Sequence, residues 1–149
     1  MHIIKNWGNF LNENNKRIIY HFTESFDSLY SILKSDSLEA GSSHNMYGLG
    51  YDNISFTWNP KLWDIEYTGD TKPRYGVRIS FNYNEMSKKW KFEPFDYGIE
   101  EEQEEIIKTD IIEGIIPFIT EILISRNESK SEVKNLQEKY PYLKIKFRR

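Results

Sequence analysis

Hydrophobic positions along this chain recur with a period of two in some stretches and near 3.6 in others, and the changes of period mark its elements. From Arg17 the period is two: Ile18, Tyr20 and Phe22 fall on one side of a predicted strand, and Ile19, His21 and Thr23 on the other. Phe26, Leu29, Tyr30 and Leu33 then recur at helical spacing. Glu24 and Asp27 sit near the start of that predicted helix, where its dipole favours anions. Ile3, Trp7, Phe10 and Leu11 predict an earlier amphipathic helix, ended by the polar run "NENNK".

Residues 39–53, "EAGSSHNMYGLGYDN", are rich in Gly, Ser and Asn and predict a long loop, a natural lid over a neighbouring site. Two further strands follow. In "NISFTW" Ile54, Phe56 and Trp58 alternate with Ser55 and Thr57, and in "YGVRISF" Tyr75, Val77, Ile79 and Phe81 share a side. "KWKFEPF" predicts an edge or connecting strand, because Pro94 removes a backbone donor. The Ile-rich segment 103–125 suits two strands with a connection near Gly114 and Pro117. A last amphipathic helix over 129–140 leads through Pro141 to a short strand, "YLKIKF". There is no internal repeat, and the balance predicts an α+β fold with helices early and late and the sheet between them.

At 149 residues the chain suffices for one domain, 1–149, with one core. No apolar run approaches the length that spans a bilayer and none reads as a signal peptide, which together predict a cytoplasmic protein with no membrane partner. The sequence has no cysteine, so disulfides, thiolate metal ligands and a cysteine nucleophile are excluded. A formal charge of -3 argues against a general binder of nucleic-acid backbones but leaves room for a local basic cleft.

Three polar clusters interrupt the strand patterns: His21-x-Thr23, Ser55-x-Thr57 and the acidic run from Glu100 to Glu105. Each has a plain structural reading: a hydrogen-bonded histidine, Thr23 as a helix cap, solvent-face hydroxyls and a solvated charge run. If "QEEIIKTDI" is one strand, Gln103, Glu105, Ile107, Thr109 and Ile111 share a face, and Glu102, Glu104, Ile106, Lys108 and Asp110 share the other, more charged one. That register favours Glu105 as the working carboxylate with Gln103 beside it, and expects the Glu104 face to be solvated. A one-residue slip exchanges the faces and favours Glu102-x-Glu104 instead. His2, His21 and His44 have no ligand-like spacing, so no metal site is predicted.

In the order and content of these clusters the chain resembles the ADP-ribosyltransferase-like fold, in particular small NAD-using members such as the DarT-type toxins and phage proteins of similar size. The stretch "YHFTESFDSLYSILKSDSLEAGS" looks like their opening strand and helix, and the likeness runs from His21 to Ile124. The resemblance implies a split antiparallel sheet core with flanking helices, and NAD as the cosubstrate. It implies that His21 and Thr23 hold the adenosine ribose side of NAD, that Ser55 and Thr57 brace the nicotinamide side or orient the glutamate, and that the acidic run supplies the catalytic carboxylate. The acceptor would be a macromolecule, DNA, RNA or protein, in conflict between phage and host. The alternative is a catalytically silent relative that binds or inhibits a protein partner. RNA 2'-phosphate transfer is disfavoured, because the basic residues it needs cannot be assembled. Arg78 and Lys72 are candidate diphosphate contacts, and Tyr47, Tyr51 and Trp58 candidate stacking partners for nicotinamide; Trp58 stands where a small or basic residue would suit phosphate better.

Overall fold

The period-two run after Arg17 folds as strand β1, Ile18–Thr23, and the helical stripe after it as α1, Phe26–Ser35. The computed structural model describes residues 17–41, 52–64, 75–96 and 100–149; the predicted N-terminal helix and most of the predicted lid loop lie outside them. The cap of α1 is Ser25, whose hydroxyl accepts from the Ser28 amide at 3.2 Å, so Thr23 completes β1 and the capping role belongs two residues later. Phe26, Leu29 and Leu33 are buried as the stripe requires, while Tyr30 is exposed. The helix stops at Asp36, whose left-handed φ of 51° presents its amide to the carbonyls of Ile32 and Leu33. The Asp36 carboxylate accepts from the Ile116 amide at 2.7 Å and so ties this corner to a distant segment.

The chain continues through β2 (Ser37–Glu39), β3 (Ile54–Thr57), β4 (Val77–Asn82), the one-turn helix α2 (Tyr83–Met86) and β5 (Glu93–Pro94). It ends with β6 (Glu104–Ile107), β7 (Ile111–Glu113), β8 (Ile119–Ile124), α3 (Lys130–Lys139) and β9 (Ile145–Phe147). Seven strands form one sheet in the order β5-β6-β3-β1-β4-β8-β9, antiparallel throughout except for the parallel pair β8 and β9. The fold is mixed α+β, with a large, mostly antiparallel sheet and few helices. As Pro94 predicted, β5 is an edge strand.

The expectation of two strands in 103–125 is corrected to three. The extra one, β7, leaves the large sheet and pairs with β2. Its alternation spans three residues, with Ile111 and Glu113 exposed around buried Ile112, too short to stand out within a run of isoleucines.

Directly paired strand residues share a face of the sheet. One face carries Ile19, Phe56, Trp58, Val77, Ile79, Phe81, Ile107, Ile122, Ile124 and Ile145, all buried against Leu29, Leu33, Val133 and Leu136 of α1 and α3. Burying each large aliphatic or aromatic side chain there contributes about 1.5–3 kcal/mol. The other face carries Tyr20, Phe22, Ser55, Thr57, Arg78, Ser80, Glu104 and Glu121. Apolar packing is concentrated on the first face; hydroxyl, carboxylate and aromatic groups dominate the second.

Candidate functional site

The strand order makes β6, β3 and β1 neighbours, so the three polar clusters, far apart in the chain, adjoin one another in the sheet. The two seams differ. β3 meets β6 over four register pairs, whereas β1 meets β3 through Tyr20 and Thr57 alone, although β1 pairs with β4 along its whole length. Past the Tyr20–Thr57 pair, the Ser55 carbonyl accepts a hydrogen bond at 2.8 Å from His21 Nδ1, a side chain in place of a strand amide. A carbonyl can only accept, so Nδ1 carries the proton. Burial holds the His21 pKa below its usual value, with the Ser55 hydrogen bond opposing, so the ring is neutral near pH 7 and Nε2 keeps its lone pair.

Ser55 also joins β3 to β6. Its hydroxyl donates to the Glu104 carboxylate at 2.5 Å. Ser55 pairs with Ile106 and Thr57 with Glu104, so Ser55 and Glu104 are diagonal neighbours on one face. Thr57 faces Glu104 directly, yet its hydroxyl donates to the Glu102 carbonyl and accepts from the Asn59 amide at 3.0 Å. With Asn59 Nδ2 on the Glu101 carbonyl at 2.9 Å, Thr57 fastens the acidic turn to β3.

The single-strand register expected for the acidic run is corrected at both ends. Glu100–Glu102 form a 3₁₀ turn, Gln103 sits at a left-handed φ of 48°, and only then does β6 begin; after Ile107 the strand stops, and Ile111 belongs to β7. Alternation therefore carries no information back to Glu102 and Gln103 or forward to Lys108 and beyond. The expected solvation of the Glu104 face is also overturned. Glu104 is 6 % exposed and Glu105 7 %, because β6 is flanked by β5 and β3 and both of its faces are covered.

The two glutamates thus point to opposite faces. Glu105 lies on the core face, where its carboxylate accepts from Trp58 Nε1. Burial raises the Glu105 pKa, with the Trp58 hydrogen bond and the Arg17 charge opposing. Trp58 itself packs edge-on against Tyr83 within the core, away from Ser55 and Thr57, so it does not share their face as a stacking partner would. Tyr47 and Tyr51 lie outside the described residues, as does Lys72. Thr23 ends β1 on the same side of the strand as His21, paired with Val77.

The aromatic side chains near Glu104 are ones the spacing did not single out. Phe22 has its ring centre 5.3 Å from that of Trp63 and 5.5 Å from that of Tyr75. Burial pushes the Tyr75 pKa up to about 12, helped by the charges of Glu102, Glu104 and Glu24, so its phenol remains protonated beside these carboxylates. The signal available for this was the placing of Phe22 with Tyr20 on one side of β1; the approach of Trp63 and Tyr75 is tertiary. Arg78 lies over the Tyr20 ring at 4.8 Å, donates to the Pro60 carbonyl at 2.8 Å and pairs with Glu121 at 3.3 Å. Those contacts commit Arg78 to the sheet.

Among the described residues no helix is long and apolar enough to cross a membrane. The chain matches no family model, no curated protein and no solved structure.

Proposed function

We propose that the chain is an NAD-dependent ADP-ribosyltransferase acting on a macromolecular acceptor, DNA, RNA or protein, in the cytoplasm and in the setting of conflict between phage and host. One observation carries the reading: Ser55 is bonded on both sides, its carbonyl to His21 of β1 and its hydroxyl to Glu104 of β6. The three clusters on which the resemblance rests are therefore linked through Ser55, across the β1–β3 and β3–β6 seams. The meagre pairing of β1 with β3, a single register pair, is the feature that supports the split sheet the resemblance implies.

The residues present fit NAD. A hydroxyl and a carboxylate converge beside an aromatic wall of Phe22, Trp63 and Tyr75, suited to a planar ring, while the His21 imidazole supports the Ser55 backbone from the opposite, core face of the sheet, packed against Phe56. In this reading Glu104, in preference to Glu105, is the catalytic carboxylate, held by Ser55. When NAD is bound, its nicotinamide to ribose bond is the one that breaks, with positive charge building on the ribose. Glu104 would accept a hydrogen bond from a ribose hydroxyl and stabilise that charge as it develops. Ser55 fixes the rotamer of Glu104, and His21 holds the Ser55 backbone in place from the core face. Gln103, immediately before Glu104 at the left-handed entry to β6, would position the acceptor.

The test is nicotinamide release from NAD by the purified protein, alone and with host-cell lysate as a source of acceptor, compared with Glu104→Gln. Release that the variant loses supports the transferase. The low exposure of Glu104 favours a second reading, a silent relative that binds a protein partner, and no release by the wild type under either condition selects it.

A further inference from the structure

At the β5 edge of the sheet a cavity of about 310 Å³ opens between the turn after α2, β5 and the β6–β7 connection. It shares no residue with the His21, Ser55 and Glu104 seam. Its volume falls at the lower end of the ~300–1,000 Å³ typical of small-molecule sites. Three lysines line it, Lys89, Lys91 and Lys108, and among the described lining residues Glu93 is the only carboxylate. The floor is apolar, from Trp90 and Ile112 among others. In a chain of net charge -3, such a local excess of cations runs against the trend of the whole.

Glu93 stands at long range from Lys91 and Lys108. Lys108 Nζ stands 3.6 Å and Lys91 Nζ 3.9 Å from its oxygens, beyond the ~2.7–2.9 Å of a strong charge-assisted hydrogen bond. Lys89 lies over the Trp90 ring at 4.6 Å. That ammonium also lies close to Gly114. Gly114 has a φ of 73°, and a Cβ placed there would stand 3.4 Å from Lys89 Nζ.

From this arrangement we propose that the cavity is a binding site for a small phosphate-bearing anion of the pyrophosphate type. Two or three phosphate oxygens would take the ammonium donors of Lys89, Lys91 and Lys108, with Glu93 orienting the lysine heads and the apolar floor limiting depth. A phosphate group suits three point charges on flexible stems, where a lone carboxylate would leave at least one lysine unmatched.

The experiment is calorimetric titration of the full chain with pyrophosphate at low ionic strength, for the wild type, the Lys89→Gln/Lys91→Gln double variant, the Lys89→Arg/Lys91→Arg double variant and Ser55→Ala. Both lysines are exposed, and thermal unfolding of each variant confirms that it folds. Expected are saturable binding by the wild type, about tenfold or greater weakening in the Gln variant, and near wild-type affinity in the Arg variant. Ser55→Ala should bind pyrophosphate normally, which separates this site from the proposed NAD site. No saturable binding, or equal affinity in the Gln variant, overturns the proposal; loss in Ser55→Ala alone places the phosphate at the other seam and overturns it too.

Discussion

The hydroxyl of Ser55 donates to the carboxylate of Glu104 across 2.5 Å, although the two residues are 49 positions apart in the chain and diagonal to each other in the sheet. The neighbouring Glu105, one position on, bonds Trp58 on the opposite face. One peptide unit thus separates a glutamate of the polar face from one committed to the core.

That division predicts how the two behave in turnover. Glu104→Gln should lower nicotinamide release by about 10²-fold or more, the scale of losing one well-placed electrostatic contact in a transition state. Glu105→Gln should stay within a few-fold of wild type, since glutamine still accepts from Trp58. Steady-state rates for the two variants decide it, and a large loss confined to Glu105→Gln returns the catalytic role to that residue.

Glu105 should instead govern stability. Its folded pKa is raised by burial, so the folded state favours the protonated form; the penalty on stability is present at neutral pH and disappears as pH falls through the raised value toward the ordinary 4.5. Glu105→Gln is therefore expected to raise the melting temperature at pH 7 by up to about 3 °C, what ~1 kcal/mol is worth in a domain of this size. Below pH 4.5 the advantage should vanish. Thermal scans at pH 7 and pH 4 measure both, and a destabilised variant at pH 7 would mean that the Trp58 hydrogen bond and the Arg17 charge together outweigh burial.

His21 has the opposite sign. Its folded pKa is depressed, so the unfolded chain binds the proton more readily; stability is complete above the ordinary value of 6.5 and falls as pH drops below it. His21→Asn, whose amide can donate to the Ser55 carbonyl in place of Nδ1, should flatten the pH 7.5 to 5.5 segment of the stability curve. Urea titrations across that window test this. An unchanged slope in the variant would assign the acid loss to other groups.

Gln103 holds a left-handed φ of 48°, a conformation costing an L-residue roughly 1–2 kcal/mol. Gln103→Gly should remove much of this and raise the urea midpoint, while Gln103→Val should lower it. If the Gly variant keeps NAD cleavage and loses transfer to the acceptor, the side chain positions the acceptor; if both persist, Gln103 serves the turn alone.

Much of the local structure was legible in the chain itself. The period-two runs placed β1, β3 and β4 and the 3.6 period placed α1 and α3, because these signals depend on which side of a backbone a residue occupies over four or more positions, and Pro94 marked an edge because it lacks a backbone donor. The polar clusters were visible for the same reason: His21, Ser55, Thr57 and the acidic run break an otherwise apolar alternation. Tertiary structure decided what they meet. Only strand order could bring β1, β3 and β6 together, and only the late start of β6 after Gln103 and its enclosure between β5 and β3 could turn Glu104 toward Ser55 and bury it. A side-chain period of two says that Glu104 and Glu105 part company; which of them faces the core depends on pairing with residues some fifty positions away, and no local pattern encodes that pairing.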